Sequence, residues 1–233
     1  MFDINRHRFY LVQILKDIYT DIELANYLGF KGGTALMFFY DLPRFSVDLD
    51  FDLLDAGKEA YVYEKLRKIV LKYGRIFDEA KKFYGPLLVL DYGKGERKLK
   101  IEISKRMFDN AYEMKNLFGF NVKVMRESDM FSHKLCALLD RSSITNRDIF
   151  DTWFFLNRQT PVNKAIVETR MNVSLEVHLH DCINILETLN SKRLLDGLGE
   201  LMNAETKQFV RTKLLNETIS LLQFYRKFPI LSE

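Results

Sequence analysis

The sequence of 233 residues has few cysteines, no long apolar run and no excess of either charge. Its two cysteines, Cys136 and Cys182, lie far apart without a CxxC pair or a Cys/His cluster, which is typical of buried thiols in a reducing compartment. No apolar run approaches the roughly 18 residues that a membrane helix needs, and charged residues interrupt the N-terminal apolar residues too often for a signal peptide. We therefore expect a soluble cytoplasmic protein with no membrane partner.

The charge balance excludes little by itself. The 35 Lys and Arg residues oppose 32 Asp and Glu residues, and the net charge of +3 is too small to indicate a nucleic-acid partner. Such a partner would have to be held by a local basic patch. By contrast, 47% apolar residues are enough for a packed core in one large domain or two small ones.

The spacing of apolar residues changes near residue 127. Before that point it predicts helices over about 4–28 and 58–73, a short helix after a Gly-Gly pair, and strands over 44–54, 87–92, 98–104 and 120–125. The strands at 87–92 and 98–104 are predicted to form a hairpin through the GKGER turn. After that point the pattern is helical almost throughout. We therefore predict an α+β protein in which residues 1–126 form an α/β domain and residues 127–233 a helical domain.

The stretch RFSVDLDFDLL, residues 44–54, places three carboxylates on one face of a predicted strand. Successive residues of a strand point to opposite faces, so Asp48, Asp50 and Asp52 lie opposite an apolar face, with neighbouring Cα atoms about 6.5–7 Å apart. Carboxylates at this spacing repel one another unless they bind a cation, meet a basic partner or remain in water. If the strand KLKIEIS pairs beside them, Glu102 becomes a third carboxylate near Asp48 and Asp50. The pattern alone leaves a solvated edge strand and a metal site as open interpretations.

A glycine pair precedes this strand. Gly32, Gly33 and Thr34 stand before a short predicted helix, where glycine allows a ligand to approach the backbone and the free N–H groups of the first turn attract phosphate. A tight turn is the commoner explanation of such a pair. Immediately before a strand with paired carboxylates, however, it indicates a phosphate cradle facing a metal site, as phosphoryl or nucleotidyl transfer requires.

The segment KGGTALMFFYDLPRFSVDLDF, residues 31–51, resembles the signature of the AbiEii-type nucleotidyltransferases. These are toxin partners of bacterial toxin–antitoxin and phage-defence pairs, within the polymerase-β-like nucleotidyltransferase superfamily. SHKLCALLDR at 132–141 and NRDIFDTWFFL at 146–156 resemble later motifs of the family, in order. The resemblance implies a polymerase-β-like mixed sheet with helices, followed by a C-terminal helical bundle. Two departures are that the interval from Gly33 to Asp48 is longer than is usual in the wider superfamily and that no motif follows Asn157.

The resemblance also implies roles for individual residues. The residues implied to bind nucleotide phosphates are Gly32, Gly33, Thr34, Ser46 and Lys134. Divalent metal, Mg²⁺ or Mn²⁺, would be held by Asp48 and Asp50. Glu102, which the predicted strand pairing adds, would be a further metal ligand or would activate the acceptor hydroxyl. Asp148, with Asp151 as the lesser candidate, would orient Lys134 or the acceptor.

The function implied is transfer of a nucleotide from a nucleoside triphosphate to an acceptor, by a toxin that a cognate antitoxin restrains. The implied acceptor is RNA, at the 3′ end of a transfer RNA, and a protein acceptor stays open. Two alternatives from other classes also stay open: a nucleotide-binding regulatory module without turnover, and an antibiotic-type enzyme that modifies a small molecule. An acidic cleft would favour a cationic small molecule, and a basic cleft would favour RNA.

Overall fold

The structure, a computed structural model, describes residues 3–140, 144–190 and 193–232. The first residues of the predicted domain 1–126 and the last residue of the predicted domain 127–233 lie outside these ranges, as does Arg141, the last residue of the motif at 132–141. The described residues form two compact units. The sheet unit contains the described residues of Met1–Asp41, Phe45–Met107 and Tyr112–Met125, and the helical unit those of Leu42–Arg44, Phe108–Ala111 and Arg126–Glu233. The α+β class is confirmed, and the domain boundary at 126–127 stays a prediction.

A seven-stranded mixed sheet organises the sheet unit. Its strands are β1 (Leu28–Lys31), β2 (Leu49–Leu53), β3 (Arg75–Lys82), β4 (Gly85–Asp91), β5 (Leu99–Ser104), β6 (Tyr112–Leu117) and β7 (Phe120–Met125). They are ordered β3-β4-β5-β2-β1-β7-β6. β4 and β5 pair antiparallel, which confirms the predicted hairpin, and β2 lies between β5, its parallel neighbour, and the antiparallel β1. The carboxylates of β2 therefore lie on an interior strand, and the edge-strand interpretation is wrong.

The helices of the sheet unit are α1 (Ile4–Thr20), α2 (Ile22–Tyr27), α3 (Gly32–Phe39) and α4 (Glu59–Leu71). The helix predicted over 4–28 is interrupted at Asp21, whose carboxylate accepts hydrogen bonds from the backbone N–H groups of Glu23 and Leu24. An aspartate that caps the following turn in this way starts a new helix. Gly29, which directly follows the helix predicted over 4–28, lies within β1.

Two strands that the sequence pattern did not predict, β3 and β6, form the two ends of the sheet. Their side chains are largely exposed, so neither strand shows the alternation of apolar and polar residues that identified the others. Both exist because an inner neighbour pairs with them along their length, β4 with β3 and β7 with β6. Pairing of this kind is a tertiary property that local pattern does not carry.

The strand predicted over 44–54 begins only at Leu49. Backbone groups of the three preceding residues are bonded to side chains rather than to a neighbouring strand. His7 bonds the carbonyl of Val47, Thr34 bonds the carbonyl of Asp48, and the N–H of Ser46 contacts the Met37 sulfur. Side-chain contacts therefore fix the segment 46–48, which precedes β2 but is not part of the sheet.

The helical unit contains α5 (Glu127–Ala137), α6 (Asn146–Asn157), α7 (Lys164–Met171), α8 (Leu175–Glu187), α9 (Ala204–Thr212) and α10 (Leu214–Lys227). Phe131 of α5 and Phe155 of α6 stack with ring centroids 5.1 Å apart in its core, and both are fully buried. The prediction of buried thiols is confirmed for Cys136 and Cys182, and burial raises the pKa of Cys136 to about 12. Within the described ranges, no helix has the length and apolar character needed to cross a membrane.

Candidate active site

The turn from β1 into α3 brings backbone close to a carboxylate. Gly32 has a φ of 79°, in the left-handed region, and a Cβ atom at this position would collide with the carboxylate of Asp50. Only glycine therefore fits here without strain. The residue before the helix, Lys31, makes no side-chain hydrogen bond to the first turn of α3. This end of α3 thus presents N–H groups without a side-chain cap, a feature that suits an anion.

The pairing of β2 with β5 brings two predicted site residues together. Asp50 lies directly opposite Glu102 in the parallel register, as the sequence interpretation required. Residues opposite each other in neighbouring strands project from the same face of a sheet. Glu102 is exposed and Asp50 is partly exposed, so this face remains accessible to water and to ligands.

Asp48 lies one residue before β2, and hydrogen bonds hold both its backbone carbonyl and its side chain. Its carbonyl accepts a hydrogen bond from the buried Thr34 hydroxyl, and its Oδ1 accepts a longer one, 3.4 Å, from the backbone N–H of Lys100. Asp48 is partly exposed. Thr34, predicted as a phosphate ligand, therefore has an observed contact that orients Asp48.

His7 fixes the peptide immediately before Asp48, a role that the sequence pattern did not reveal. Its Nε2 lies 2.8 Å from the carbonyl of Val47 and its Nδ1 lies 2.6 Å from the hydroxyl of Tyr92. A carbonyl only accepts, so Nε2 carries the proton and Nδ1 accepts from Tyr92. Burial lowers the pKa of His7, which favours this neutral form. No sequence spacing could signal the role, because its partners lie 40 and 85 residues away.

Asp52, the third carboxylate of the strand, has a different environment. It is buried, its Oδ1 lies 2.5 Å from the Lys31 ammonium, and its Oδ2 accepts a hydrogen bond of 2.8 Å from the hydroxyl of Tyr112. A buried carboxylate paired with a cation in this way is already neutralised. The neighbouring strand β1 therefore provides a basic partner for Asp52, whereas Asp48 and Asp50 are more accessible.

The accessible carboxylates fit a magnesium or manganese site in which substrate phosphates supply some of the ligands. Across the described part of the chain, no group of three or more His, Cys, Asp or Glu side chains is arranged to hold a metal ion. Mg²⁺ is commonly bound by one or two carboxylates, with water and substrate phosphates as the remaining ligands, so a complete protein cage is not required. Asp48 and Asp50, with Glu102 beside Asp50, supply oxygen ligands of the type that these ions prefer.

The other predicted charged residues form a buried network in the helical unit. Lys134 of α5 lies 3.2 Å from Asp148 Oδ1 and 2.8 Å from Asp151 Oδ2, both on α6. Asp148 also accepts a hydrogen bond of 2.7 Å from Thr145, the N-cap of α6. The side chains of both aspartates are at most 2% exposed, and that of Lys134 is 17% exposed.

Arg44 completes this network and was missed by the sequence interpretation. Its Nε and Nη2 each lie 2.7 Å from an oxygen of Asp151, a bidentate pair in which both side chains are buried. The two residues are 107 positions apart, so no local spacing could have signalled the contact. Two cations and two carboxylates therefore share one buried cluster, which we call the ion-pair cluster (Arg44, Lys134, Asp148 and Asp151).

The charges of the ion-pair cluster stabilise one another. Burial alone would raise the pKa of Asp151, but Arg44 and Lys134 lower it to about 2. Burial alone would lower the pKa of Lys134, but the carboxylates of Asp151 and Asp148 raise it above its ordinary value. Asp151 and Lys134 are thus held ionised. Of the two roles predicted for the aspartates, their contacts favour orientation of Lys134 over contact with an acceptor.

The predicted site residues thus divide into two groups. The structure places Gly32, Gly33, Thr34, Ser46, Asp48, Asp50 and Glu102 in the sheet unit, and Lys134, Asp148 and Asp151 in the helical unit. Within the first group, Gly33, Thr34 and Ser46 are buried. The roles of all these residues in binding and catalysis stay predictions.

Comparison with known proteins gives a family match over most of the chain. The model of the family described as nucleotidyl transferase AbiEii toxin, type IV toxin–antitoxin system, matches residues 13–221. No curated protein matches significantly.

Two solved structures from Helicobacter pylori share the fold. One is JHP933, at 22% identity and a TM-score of 0.63, with 97% of this chain and 94% of that chain covered. The other is described as a candidate nucleotidyltransferase, at 24% identity and a TM-score of 0.63, with 95% of this chain and 94% of that chain covered. Both likenesses extend over nearly the whole length of this chain.

Proposed function

Because this chain belongs to the AbiEii family of nucleotidyltransferase toxins, we propose that it transfers a nucleotide from a nucleoside triphosphate to RNA, with a divalent metal ion. Membership makes the protein a nucleotidyltransferase of a type IV toxin–antitoxin system and implies an antitoxin partner. The metal, the acceptor and the residues that act are our proposals. The acceptor that we propose is the 3′ end of a transfer RNA.

One observation carries the proposal: the accessible carboxylates of Asp48, Asp50 and Glu102 occur in the unit where Gly32 brings the start of α3 against Asp50. A metal site and an anion-binding helix end are the two requirements for binding a metal–triphosphate complex. The collision that any side chain at position 32 would make explains why the chain has glycine there. The fold thus supports both requirements with residues that neighbour each other.

The proposed mechanism assigns separate tasks to these residues. Asp48 and Asp50 would hold Mg²⁺ or Mn²⁺, which would supply positive charge to the triphosphate. The backbone at Gly32 and Gly33 and the hydroxyl of Ser46 would bind phosphate oxygens. Glu102, exposed beside Asp50, would accept the proton of the attacking acceptor hydroxyl.

The roles proposed for the helical unit rest on the ion-pair cluster. We propose that Lys134 supplies positive charge to the triphosphate and that Asp148 and Asp151 hold its ammonium in place. The Lys134 side chain is 17% exposed, whereas those of the two aspartates are at most 2% exposed. This difference supports a role in which Lys134 contacts the ligand and the buried aspartates hold Lys134. Arg44 would position Asp151 through the bidentate pair.

The experiment combines purified protein, Mg²⁺, each of the four α-labelled nucleoside triphosphates and total cellular RNA. Wild type is compared with Asp48→Asn and with the matched control Asp52→Asn, which changes a carboxylate of the same strand that Lys31 neutralises. We expect labelled RNA with wild type and with Asp52→Asn, and none with Asp48→Asn. The labelled triphosphate identifies the preferred nucleotide.

Other outcomes would contradict parts of the proposal. Label on protein would replace RNA by a protein acceptor. In a parallel reaction with an aminoglycoside added, label on that compound alone would favour the antibiotic-type alternative. Bound triphosphate without transfer to any acceptor would favour the regulatory module. Equal labelling by wild type and Asp48→Asn would remove this carboxylate from the metal site.

A further inference from the structure

The turn between β3 and β4 exposes two aromatic side chains to solvent. Phe83 is 85% exposed and Tyr84 is 56% exposed, with ring centroids 5.0 Å apart in an edge-to-face arrangement. Large aromatic groups are normally buried, because each removes well over a hundred square ångströms of surface from water. Two adjacent exposed rings at a hairpin tip therefore indicate a binding surface.

Cationic residues neighbour this aromatic pair in space or in sequence. The guanidinium of Arg106 lies 4.8 Å from the centroid of the Tyr84 ring. The backbone N–H of Lys105 donates a 2.9 Å hydrogen bond to the Tyr84 carbonyl, and Lys82, directly before Phe83, is exposed. Lys105 itself pairs with Glu59 at 3.0 Å, whereas Arg106 contacts one of the two rings and Lys82 adjoins the other in sequence. Aromatic rings interleaved with basic groups match the requirements of unpaired nucleic acid, where bases stack and phosphates bind cations.

The hairpin tip is fixed close to the proposed catalytic carboxylates. Gly85 has a φ of 126°, and a Cβ atom there would collide with the carbonyl of Ile103, so the turn packs directly on β5. Because the Tyr84 carbonyl bonds Lys105, the tip lies three residues along the chain from Glu102, roughly 10 Å by strand rise.

We propose that Phe83 and Tyr84 stack unpaired bases of the RNA acceptor, while Arg106 and Lys82 bind its phosphates. This proposal rests on the proposed nucleotidyl transfer to RNA and defines a surface that guides the acceptor strand toward Glu102. The positive charge around the rings favours a polyanion over an apolar peptide. We call this surface the aromatic tip (Lys82, Phe83, Tyr84 and Arg106).

The test measures binding of a fluorescein-labelled single-stranded 12-nucleotide oligoadenylate by anisotropy. The double variant Phe83→Ser/Tyr84→Ser removes both stacking rings and should therefore lose at least about 30-fold in affinity. The matched control is Phe118→Ser, which removes a ring 78% exposed in the β6–β7 turn of the same sheet and should bind as wild type does. An abasic strand of equal length should bind wild type and the double variant alike. Arg106→Gln should reduce the salt dependence of binding by about one phosphate contact.

Kinetics separate this surface from the catalytic residues. In the transfer assay, the double variant should raise the KM for RNA at least 10-fold, with the main effect on that KM rather than on kcat or on the KM for triphosphate. The proposed role of the aromatic tip would be overturned by unchanged oligoadenylate affinity in the double variant. It would also be overturned by an equal loss in Phe118→Ser, or by no binding to wild type. If instead the double variant loses affinity but no RNA is labelled by wild type, the transfer proposal fails and the binding surface stands.

Discussion

The carboxylates on β2 and β5 differ from those of the ion-pair cluster in what already surrounds them. Asp48 and Asp50 are partly exposed and Glu102 is exposed, and Asp50 and Glu102 share one face of the sheet. Asp148 and Asp151 are buried against Lys134, and Asp151 also binds Arg44 in a bidentate pair. A carboxylate accessible to water can exchange water for a metal ion at little cost, whereas a neutralised buried carboxylate would first have to break its ion pairs.

The difference indicates that charge type alone does not identify a ligand site. Asp52 demonstrates this within one strand, because it alternates with Asp48 and Asp50 in sequence but is buried against Lys31. Accessible carboxylates are suited to chemistry, and enclosed carboxylates are suited to holding a structure or positioning a cation. The comparison predicts opposite consequences for substitutions in the two regions.

The largest effect is expected for Asp151→Ala. This change leaves Arg44 and Lys134 without their shared carboxylate in a buried site, and breaking such a pair costs about 3–5 kcal/mol of unfolding free energy. Urea denaturation followed by circular dichroism measures the loss. The matched change Glu102→Gln, on the exposed carboxylate, should alter the unfolding free energy by less than about 0.5 kcal/mol. Equal stability of the two variants would contradict the comparison.

Asp50→Asn should have the opposite profile. Loss of a metal-binding charge is expected to lower kcat/KM for nucleotidyl transfer by at least about a hundredfold, or about 2.7 kcal/mol of transition-state stabilisation. The unfolding free energy should stay within about 1 kcal/mol of wild type because the side chain is partly exposed. Wild-type transfer rates in this variant would remove Asp50 from the proposed site.

The pH dependence of the unfolding free energy tests the ion-pair cluster. The pKa of Asp151 is about 2 in the folded protein against 3.8 ordinarily, because Arg44 and Lys134 outweigh the effect of burial. Its stabilising contribution, about 2 kcal/mol, is therefore present above pH 4 and lost as the pH falls from 4 toward 2. Unfolding free energies measured over this interval should decline less steeply in Asp151→Asn than in wild type. Asp91, whose pKa Lys98 and Arg75 also lower to about 2, accounts for acid dependence that the variant retains.

Gly32→Ala should affect both stability and transfer. A β-carbon at a φ of 79° costs about 1–2 kcal/mol, and it would also push the Asp50 carboxylate away from its place. We expect a roughly tenfold loss of kcat/KM together with a stability loss of that size. The control Gly95→Ala, also at a positive φ but with open space around its β-carbon, should lose stability without losing transfer. Equal transfer losses in the two variants would show that the contact with Asp50 is unimportant.

The smallest effect concerns the Thr34 hydroxyl. Thr34→Val keeps the shape of the side chain but removes the hydrogen bond to the Asp48 carbonyl, which should lower the free energy of unfolding by about 0.5–1.5 kcal/mol and should also lower transfer activity. Thr34→Ser, which retains the hydroxyl, should restore most of the transfer activity. A valine variant as active as wild type would show that Asp48 needs no such support.

The sequence was informative wherever a property repeats locally. Alternation identified the strand pair that places Asp50 opposite Glu102, and helical spacing identified the second half of the chain. The position of Asp50 was predictable because a period of two fixes which side chains share a face once the strands pair. The pairing itself was inferred, and the register confirms it.

Contacts between distant residues were beyond the reach of local pattern. The Arg44–Asp151 pair joins residues 107 positions apart, and the bond of His7 to Val47 joins residues 40 apart. The outer strands β3 and β6 lack alternation because both of their faces are largely exposed. The aromatic tip lies in the turn after β3, and the sequence pattern did not predict β3. Only the pairing of β3 with β4 places Phe83 and Tyr84 at the end of a hairpin.

Mn²⁺ binding in the presence of a non-hydrolysable nucleoside triphosphate tests the central claim most directly. The loss of the free Mn²⁺ signal in electron paramagnetic resonance would be measured for wild type, Asp50→Asn and Asp52→Asn. The account predicts that wild type and Asp52→Asn bind Mn²⁺ more tightly than the triphosphate alone does, and that Asp50→Asn loses this gain, because Lys31 already neutralises Asp52. Equal binding by all three proteins, or a loss confined to Asp52→Asn, would contradict it.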